Sequence, residues 1–474
     1  MQPVSLDNLL RATGGRAIGF DRNGIAFPAV GIDSRSIRPG ELFWAVQGER
    51  HDGHDFLGEA FNRGAAACVV EAGKVTAAAG PVVVVKETLK ALWDLTRWYR
   101  KCQDALVVGV TGSVGKTTTR EMIHTVLASQ FQGMRSPKNF NNHFGLPLSI
   151  LEILPEHEFA VLELGASQAG EIRSLAELAA PEIGVMTGIG LSHLEGFGDE
   201  QGVLRAKAEL IEALPQSGFA VLSGDDPRLQ KLAQRACCRV LLVGENPRND
   251  LQATDVEMQQ NRIRFRVDSE HFEFSAVGRH HLSAALCAIA IGRELGMPSA
   301  AIADGLRSFE AVPGRCRLEQ IGPWTVIDDS YNASPTSMKA ACDVLKHWNE
   351  ASGKILVTGD MLELGERSAE FHQELGEMAA ASGIDYLAAH GRYAKDVVRG
   401  ARQAGMDVFR LAECEDFDAM TAVLDCWLEP GAVVLVKGSR AMRMERVVQR
   451  LRRQAEKEFP VKNKTPSQQR RACA

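Results

Sequence analysis

A glycine-rich segment near residue 111 contains the residue types that bind phosphate. A β-branched run at 106–110 leads into the segment 111–118, and helix-compatible sequence follows at 120–129. The glycines allow backbone N–H groups to close around phosphate oxygens, and the start of a helix adds partial positive charge. Lys116 supplies a point charge, and Thr117 offers a hydroxyl to Mg²⁺. The segment predicts a nucleotide-phosphate site; because a valine stands where the strict motif has its first glycine, an accidental Gly-Lys-Thr turn is the alternative.

Two further residues follow predicted strands and could hold a metal ion. Glu163 ends the strand-like run 159–162, where a parallel α/β sheet presents residues to its ligand. A carboxylate there can ligate Mg²⁺, which prefers oxygen, but a strand-end glutamate in solvent has the same pattern. His193 lies in a loop after the run 183–187, where a histidine is more often a hydrogen-bonded loop residue than a ligand. Neither Glu163 nor His193 alone is sufficient to predict a metal site.

Lys207 lies on the apolar face of a predicted helix at 201–214. Helical spacing places it one turn from the apolar pairs on that face, which comprises Val203, Leu204, Leu210, Ile211 and Leu214. Burial of a lysine is costly unless its charge is removed or paired, and desolvation lowers its pKa. A neutral amine can react with CO₂ to give a carbamate, which behaves as an extra carboxylate. The alternative is that the stem is buried while the ammonium reaches water.

The elements around these residues indicate an α/β protein with three domains, because 474 residues are too many for one ordinary core. Residues 1–86 predict a small α/β module, and 87–313 a central phosphate-loop domain with a parallel sheet. Residues 314–474 predict a Rossmann-like, doubly wound domain whose tail, after about residue 459, is expected to be disordered. The predicted strands lie at 106–110, 159–162, 183–187, 219–222, 240–243, 263–267, 272–274, 324–327, 354–357, 386–389 and 433–436, and further predicted helices at 88–101, 281–295, 335–348, 368–381 and 442–455.

Composition and charge exclude several classes of protein. Hydrophobic residues make up 45% and charged residues 24% of the chain, which is typical of a globular protein. The net charge of -6 leaves no surplus of Lys and Arg for a nucleic-acid binder. No apolar run approaches the length of a membrane span, and residues 1–10 show no signal peptide. Ten scattered cysteines without a CxxC pair suit a reducing compartment, so the cytoplasm is the expected location.

A series of short motifs extends over nearly the whole chain, up to about residue 459. Each motif alone is weak, but their order and joint presence are specific. The motifs are Asp33-Ser34-Arg35, Gly40-Glu41-Leu42-Phe43-Trp44-Ala45, Asp52-Gly53-His54-Asp55-Phe56, the phosphate loop, Asn139-Phe140-Asn141-Asn142-His143, Glu163-Leu164-Gly165, Arg205-Ala206-Lys207-Ala208-Glu209, Pro313-Gly314-Arg315, Asp328-Asp329-Ser330-Tyr331-Asn332-Ala333, Gly359-Asp360-Met361-Leu362-Glu363-Leu364-Gly365 and Lys437-Gly438-Ser439-Arg440. The set resembles the ATP-dependent Mur ligases, and the resemblance implies ATP-driven formation of an amide bond.

The resemblance also implies a role for each candidate residue. ATP would be bound by the phosphate loop and by residues that contact adenine, a phosphate and the ribose: Thr111, Gly112, Ser113, Val114, Gly115, Lys116, Thr117, Thr118, His280, Arg315 and Asp329. Two Mg²⁺ sites would be formed by Thr117, Glu163, His193 and a carbamylated Lys207, and the catalytic residues would be Lys116, His193 and Lys207. The other substrate-binding residues would be Ser34, Arg35, Asn142 and Asn332. His281 and Ala284 stand where the family usually has asparagine, so adenine recognition departs from the family pattern.

The C-terminal motifs are most similar to those of the family branch that adds D-alanyl-D-alanine to UDP-N-acetylmuramoyl-tripeptide. The resemblance implies an acyl-phosphate intermediate and a place in cytoplasmic peptidoglycan precursor synthesis. The net charge predicts no nucleic-acid partner, and a monomeric chain is expected because no feature of the sequence indicates a self-association surface. The Asp-Asn-Pro-Arg stretch expected of the diaminopimelate-adding branch is absent from the sequence. Two alternatives stay open: a Mur-type ligase that adds a single amino acid and, in another class, a phosphate-loop kinase or regulatory ATPase.

Overall fold

The computed structural model describes residues 1–21, 24–74 and 80–459, and their strands form four sheets. The tail that the sequence predicts to be disordered lies, from residue 460 onward, outside the described residues. Among the described residues, every helix is too short or too polar to cross a bilayer.

The N-terminal region combines short strands with three helices. Its elements are β1 (Val4–Ser5), α1 (Leu6–Thr13), β2 (Arg16–Ile18), β3 (Ala26–Phe27), β4 (Val30–Gly31), β5 (Leu42–Trp44), α2 (Leu57–Asn62), β6 (Ala67–Glu71), β7 (Val82–Val85) and α3 (Thr88–Lys101). A five-stranded sheet has the order β2-β7-β6-β5-β4, with β2 antiparallel and the others parallel, and β1 pairs with β3. The apolar face of α3, through Leu92, Leu95 and Tyr99, belongs to the same core as Trp44 and Val83.

The central region contains a nine-stranded sheet with the order β16-β15-β14-β13-β12-β11-β8-β10-β9. Its pairs are parallel from β9 to β14, and β14, β15 and β16 form antiparallel pairs at the other end. The elements are β8 (Leu106–Thr111), α4 (Lys116–Leu127), β9 (Gly133–Arg135), α5 (Gly145–Leu151), β10 (Phe159–Glu163), α6 (Glu171–Ala179), β11 (Ile183–Met186), α7 (Leu194–Phe197), α8 (Glu200–Glu212), β12 (Phe219–Ser223), α9 (Pro227–Ala233), β13 (Arg239–Gly244), β14 (Leu251–Gln259), β15 (Arg262–Val267), β16 (Glu270–Ser275), α10 (Leu282–Glu294) and α11 (Ser299–Arg307).

Alternation along the central strands buries both faces of this sheet. Ala160 and Leu162 of β10 lie in one core with α5, α6 and α8, whereas Phe159 and Val161 lie in another core with α4, α10 and α11. Side chains of successive strand residues point to opposite faces, and a sheet covered by helices on both sides needs apolar residues on both. The nearly continuous hydrophobic runs of these strands are the consequence of this burial.

The C-terminal region repeats this arrangement with a six-stranded sheet of order β17-β18-β22-β19-β20-β21. Only β17 is antiparallel to its neighbour among the described strands of this sheet. Leu356 faces α12, α13 and α14, and Val357 faces α15 and α16, so the sheet is doubly wound as the sequence predicts. The elements are β17 (Arg317–Ile321), β18 (Trp324–Asp329), α12 (Pro335–Lys346), β19 (Lys354–Gly359), α13 (Ser368–Ala381), β20 (Tyr386–His390), α14 (Ala394–Gln403), β21 (Leu411–Cys414), α15 (Phe417–Trp427), β22 (Val433–Lys437) and α16 (Glu445–Glu458).

The predicted strands and helices of the central and C-terminal regions are confirmed, with ends shifted by a few residues. The structure adds four strands that the sequence analysis did not predict, β9, β14, β17 and β21. Three of them, β9, β17 and β21, are edge strands. Edge strands bury little apolar surface, so their hydrophobic pattern is weak.

Helices α13 and α14 cross at two glycines, and this close approach generates a stability prediction. A Cβ added at Gly376 would lie 1.9 Å from the carbonyl oxygen of Val397, so the helices must separate. We expect Gly376→Ala to lower the stability of the C-terminal region by about 2 kcal/mol, because overpacking of a core costs about that much. Gly58→Ala in α2, where a Cβ meets nothing within 4 Å, is the control and should be neutral or slightly stabilising. Thermal unfolding of the two variants tests this, and equal melting temperatures would contradict it.

Candidate active site

A cleft of about 1470 Å³ lies where the carboxyl ends of the central and C-terminal parallel strands face each other. From the central region it is lined by the phosphate loop and by the loops that follow β10 and β11. From the C-terminal region it is lined by residues that follow β18, β19 and β22. Glu49 and Trp93 contribute from the N-terminal side. Ligands of open α/β sheets bind at this edge, so the cleft is the candidate active site.

The phosphate loop connects β8 to α4, as the sequence predicts. Gly112 has φ 146°, and a Cβ there would lie 2.0 Å from the hydroxyl oxygen of Thr187, so only glycine fits. The Thr187 hydroxyl donates to the carbonyl of Val114 at 2.5 Å and holds the loop against β11. Gly115 has φ 85° and precedes the first residue of α4. The N-terminus of a 12-residue helix therefore points into the cleft beside backbone N–H groups.

Lys116 begins α4 and lies in the loop with its amine close to other positive charge. Its Nζ donates to the Gly112 carbonyl at 2.7 Å. Burial lowers the pKa of Lys116, the carboxylate of Glu163 opposes this shift, and the guanidinium of Arg315 adds to it. An anion in the loop would supply the missing negative charge, as the phosphates of a nucleotide do.

Glu163 is buried at the end of β10, so the solvent-exposed alternative is wrong. Its carboxylate accepts from the Thr117 hydroxyl at 2.9 Å and from Asn141 Nδ2 at 2.8 Å. Arg120 Nη1 also donates to it, at 3.3 Å. The sequence analysis assigned no role to Arg120, although it lies in α4 one turn after Lys116. A hydroxyl and a carboxylate held together beside a phosphate loop are oxygen ligands suited to Mg²⁺.

His193 contacts the C-terminal region directly. Its Nδ1 pairs with a carboxylate oxygen of Glu363, and this hydrogen bond is the main cause that lowers the pKa of Glu363. Both residues have left-handed backbones, with φ 51° and 63°. Glu363 belongs to the Gly-Asp-Met-Leu-Glu motif noted in the sequence, but its partner could not be deduced because the two residues are 170 positions apart.

Lys207 is only 1% exposed, so the alternative in which its ammonium reaches water is wrong. Its Nζ lies 3.4 Å from the Ala166 carbonyl oxygen and 5.2 Å from the ring centroid of Phe197. Burial lowers the pKa of Lys207 to about 7, and the charge of Lys116 adds to this. No carboxylate within ion-pair distance of this amine occurs in the described part of the chain. Lys207 lies behind the cleft wall, which is formed here by residues 166–171.

The nucleotide-binding residues assigned to the far side of the cleft lie together. His280, Arg315 and Asp329 all line it. The Arg315 guanidinium lies 4.0 Å from the ring centroid of Tyr331. Asp329 accepts from Lys437 Nζ at 2.5 Å, and both side chains are largely buried, at 11% and 3% exposure. Lys437 was not assigned a role from the sequence, although it begins the Lys-Gly-Ser-Arg motif.

The remaining predicted residues lie in three places. Thr111 is buried and its hydroxyl donates to the Leu164 carbonyl, so it supports the loop without lining the cleft. Asn142 and Asn332 line the cleft. Ser34 donates to Glu59 at 2.7 Å and Arg35 pairs with Asp33, outside the residues that line the cleft. The remaining loop residues, Ser113, Val114 and Thr118, line the cleft together with His281 and Ala284.

Three family models together match most of the chain. Residues 27–100 match the catalytic domain of the Mur ligase family, 110–292 the Mur ligase middle domain, and 314–440 the glutamate ligase domain of Mur ligases. A phosphate loop at the edge of one parallel sheet, facing a second doubly wound sheet, defines this class of protein. The chain belongs to the Mur ligase family.

Individual members of the family are similar to this chain over most of its length. The chain is 36% identical to the UDP-N-acetylmuramoyl-tripeptide–D-alanyl-D-alanine ligase of Bacillus subtilis, over 89% of this chain and 92% of that protein. It is 34% identical to the ligase of the same name from Escherichia coli, over 95% and 99%. Among solved structures, MurF of Acinetobacter baumannii superposes with a TM-score of 0.86 at 29% identity, covering 96% of this chain and 99% of that one. MurF ligase of Thermotoga maritima in complex with ADP gives 0.79 at 31% identity, covering 90% and 98%.

The buried Lys437–Asp329 pair generates a second prediction. We expect Asp329→Asn to lower the stability of the C-terminal region by about 3 kcal/mol, because it leaves the buried Lys437 ammonium without its counter-ion. Adding Lys437→Met to this variant should recover much of the loss, since the unpaired charge is then removed. Chemical denaturation measures both changes.

The exposed pair Arg367–Glu370, at 56% and 54% exposure, provides the control. Glu370→Gln should change stability by less than about 1 kcal/mol, as exposed ion pairs do. An Asp329→Asn variant as stable as Glu370→Gln would show that the buried pair contributes no more than a surface pair.

Proposed function

We propose that this chain is an ATP-dependent, ADP-forming ligase that joins D-alanyl-D-alanine to UDP-N-acetylmuramoyl-tripeptide, in peptidoglycan precursor synthesis. The observation that carries the proposal is the single cleft in which a phosphate loop and a buried carboxylate face the carboxyl edge of a second sheet. The relatives that share a third of its residues over nearly its full length are named for this activity.

ATP would occupy the cleft with its phosphates in the loop 111–118 and one phosphate toward Arg315, its adenine toward His280 and its ribose toward Asp329. The geometry supports this placement of ATP, because the phosphate loop and the N-terminus of α4 offer backbone N–H donors. His280, Arg315 and Asp329 line the same cleft. Thr117 and Glu163 would hold the first Mg²⁺, and His193 would serve the second. When bound, the metal ions neutralise phosphate charge and polarise the transferred phosphoryl group.

The chemistry proceeds in two steps on the substrates. A peptide carboxylate oxygen attacks the γ-phosphorus of ATP, and ADP leaves with the electron pair of the broken bond. The amine of D-alanyl-D-alanine then attacks the acyl phosphate, loses a proton, and expels inorganic phosphate. Lys116 stabilises charge on the transferred phosphoryl group, since its amine lies in the loop. The cleft walls hold the reactants together and exclude water.

Lys207 would be carbamylated. Its buried amine has no carboxylate partner and a pKa of about 7, so a substantial neutral fraction is available. The ammonium first loses one proton to solvent, and the neutral amine nitrogen then bonds to the carbon of CO₂ and releases a second proton, so that a buried cation is replaced by an anionic carbamate. That exchange removes the repulsion with Lys116 and gives an oxygen ligand close to the metal sites.

The other assignments follow from the same proposal. Ser34 and Arg35 would contact the uridine end of the long substrate, away from the cleft, and Asn142 and Asn332 would contact its peptide part. Residues 1–86, 87–313 and 314–459 would bind the nucleotide sugar, ATP and the dipeptide. The chain would act as a monomer, because one chain supplies every element of the cleft. It would act in the cytoplasm, since its free cysteines suit a reducing compartment.

The first test measures phosphate release from ATP with Mg²⁺ and UDP-muramoyl tripeptide, with and without D-alanyl-D-alanine. We expect release that requires both substrates and a UDP-muramoyl pentapeptide by mass spectrometry. Single amino acids serve as the control amines. Activity with one of them but not with the dipeptide would assign a different amine, and release without any amine would favour a kinase or ATPase.

Lys207→Ala tests the carbamate. We expect ligation to fall by roughly 100-fold or more, because a charged group at the reaction centre is lost. Millimolar formate or acetate should restore part of it by replacing the carbamate. Gln201→Ala, an exposed change in the same helix, is the control.

A readout independent of activity comes from ¹³C-labelled bicarbonate. A carbamate carbon signal should appear in the NMR spectrum of the unmodified protein and should be absent from Lys207→Met, which keeps the volume but removes the amine. Full turnover in Lys207→Ala, or the same signal in Lys207→Met, would refute the assignment.

A further inference from the structure

Three atoms that could ligate a metal lie together on the nucleotide side of the cleft, apart from the proposed magnesium ligands. One nitrogen each of His280 and His281 and the Sγ of Cys316 all lie within 4.8 Å of one another. His280 Nε2 is 3.7 Å from Cys316 Sγ. Ligands bound to one tetrahedral ion, at about 2.1 Å for nitrogen and about 2.3 Å for sulfur, are about 3.6 Å apart. The distance between His280 Nε2 and Cys316 Sγ therefore fits two ligands of one ion as well as it fits a thiol–imidazole hydrogen bond.

The backbone holds these side chains in position. His280 and His281 lie on a turn that begins at Gly278, where φ is 96° and a Cβ would lie 2.6 Å from the His280 ring. Cys316 has φ 50°, a conformation that costs an L-residue about 1 kcal/mol. Its backbone N–H donates to Asp329 Oδ1 at 3.2 Å, which helps to maintain that conformation. The cluster is thus set by tertiary contacts and not by chance rotamers of surface residues.

The donor set selects a class of ion. One sulfur and two imidazole nitrogens suit Zn²⁺ and similar thiophilic ions, whereas Mg²⁺ prefers oxygen. Burial lowers the pKa of His281, which keeps a lone pair available, and raises the pKa of the Cys316 thiol. An incoming ion would therefore displace the thiol proton to solvent as the metal–sulfur bond forms. His280 is exposed to the cleft, which leaves a path of entry and a fourth position for water.

We propose that His280, His281 and Cys316 form a binding site for Zn²⁺. The charged groups beside it are Asp329, which is paired with Lys437, and Arg315, so the thiolate supplies the negative charge the ion requires. The site lies where the nucleoside of ATP would bind, so the ion and the nucleoside exclude each other. This exclusion rests on the proposed function, whereas the metal site itself does not.

Cobalt titration of the full-length, chelator-treated protein tests the site, because a Co²⁺–thiolate bond gives a near-ultraviolet charge-transfer band. We expect one Co²⁺ per chain with that band, displacement by Zn²⁺, and no displacement by millimolar Mg²⁺. Cys316→Ser should remove the band. His281→Asn and His280→Gln should weaken Co²⁺ binding by at least about tenfold, since each removes one ligand. Melting temperatures establish that the variants fold.

The adjacent pair Cys237 and Cys238 is the matched control, since it is the most obvious competing thiol site. The double variant Cys237→Ser/Cys238→Ser should keep the band. Loss of the band in this control, or its persistence in Cys316→Ser, would overturn the proposal and leave a thiol–imidazole hydrogen bond between His280 and Cys316.

Adenosine tests separately whether the ion and the nucleoside exclude each other, because it lacks the phosphates that would chelate the ion. It should weaken Co²⁺ binding to the unmodified protein. If adenosine left Co²⁺ binding unchanged, the proposed mutual exclusion of the ion and the nucleoside would be wrong. The cobalt titration itself tests the metal site without any measurement of ligase activity.

Discussion

Buried positive charge without enough negative charge is the constraint on which the cleft depends. Burial lowers the pKa of both Lys116 and Lys207; the charge of Arg315 adds to the shift of Lys116, and the charge of Lys116 adds to the shift of Lys207. The carboxylates that oppose these shifts are Glu163 for Lys116 and Glu171 and Glu209 for Lys207, and Glu163 is already shared with Arg120 and other donors. Each amine is therefore desolvated beside a like charge, which is unfavourable until an anion arrives. In the proposed function, a triphosphate in the loop would supply negative charge beside Lys116 and a carbamate would remove the positive charge of Lys207, so both would relieve the same electrostatic imbalance.

The arrangement of the sheets follows from the same requirement. A loop at the carboxyl edge of a parallel sheet can surround phosphates, but it covers only one side of a nucleotide. The second sheet presents its own carboxyl edge, so that Asp329 and Lys437 come to the opposite wall. Helices on both faces of each sheet stabilise these edges, because inner strands such as β8, β10 and β19 contribute residues to two cores. Because the packed sheets position the loops at their carboxyl edges, few residues in those loops are needed to place the charged groups precisely.

Local patterns in the sequence predict those features of the site that lie within a single structural element. The strand–loop–helix at Lys116 and the apolar stripe around Lys207 lie within single elements, and the structure confirms the loop and the burial. The partners of these residues come from distant segments: Thr187 holds the loop, Glu363 meets His193, and no periodicity links them. The domain boundaries stay a prediction; helix α3, placed after the first boundary, packs on the N-terminal core. The sequence analysis did not predict the edge strands β9, β17 and β21 because they bury little apolar surface.

The contact between His193 and Glu363 joins the central and C-terminal regions at a residue that we propose as a metal ligand. Both residues have a left-handed backbone, which costs about 1 kcal/mol each, so tertiary contacts must maintain the arrangement. In a neutral imidazole, this hydrogen bond to the Glu363 carboxylate favours the tautomer with the proton on Nδ1 and the lone pair on Nε2. A carboxylate behind a histidine is the arrangement that orients metal-binding imidazoles and raises their basicity. If His193 serves a metal, the C-terminal region therefore controls that ligand through Glu363, and the second metal site is complete only when the two sheets are correctly placed.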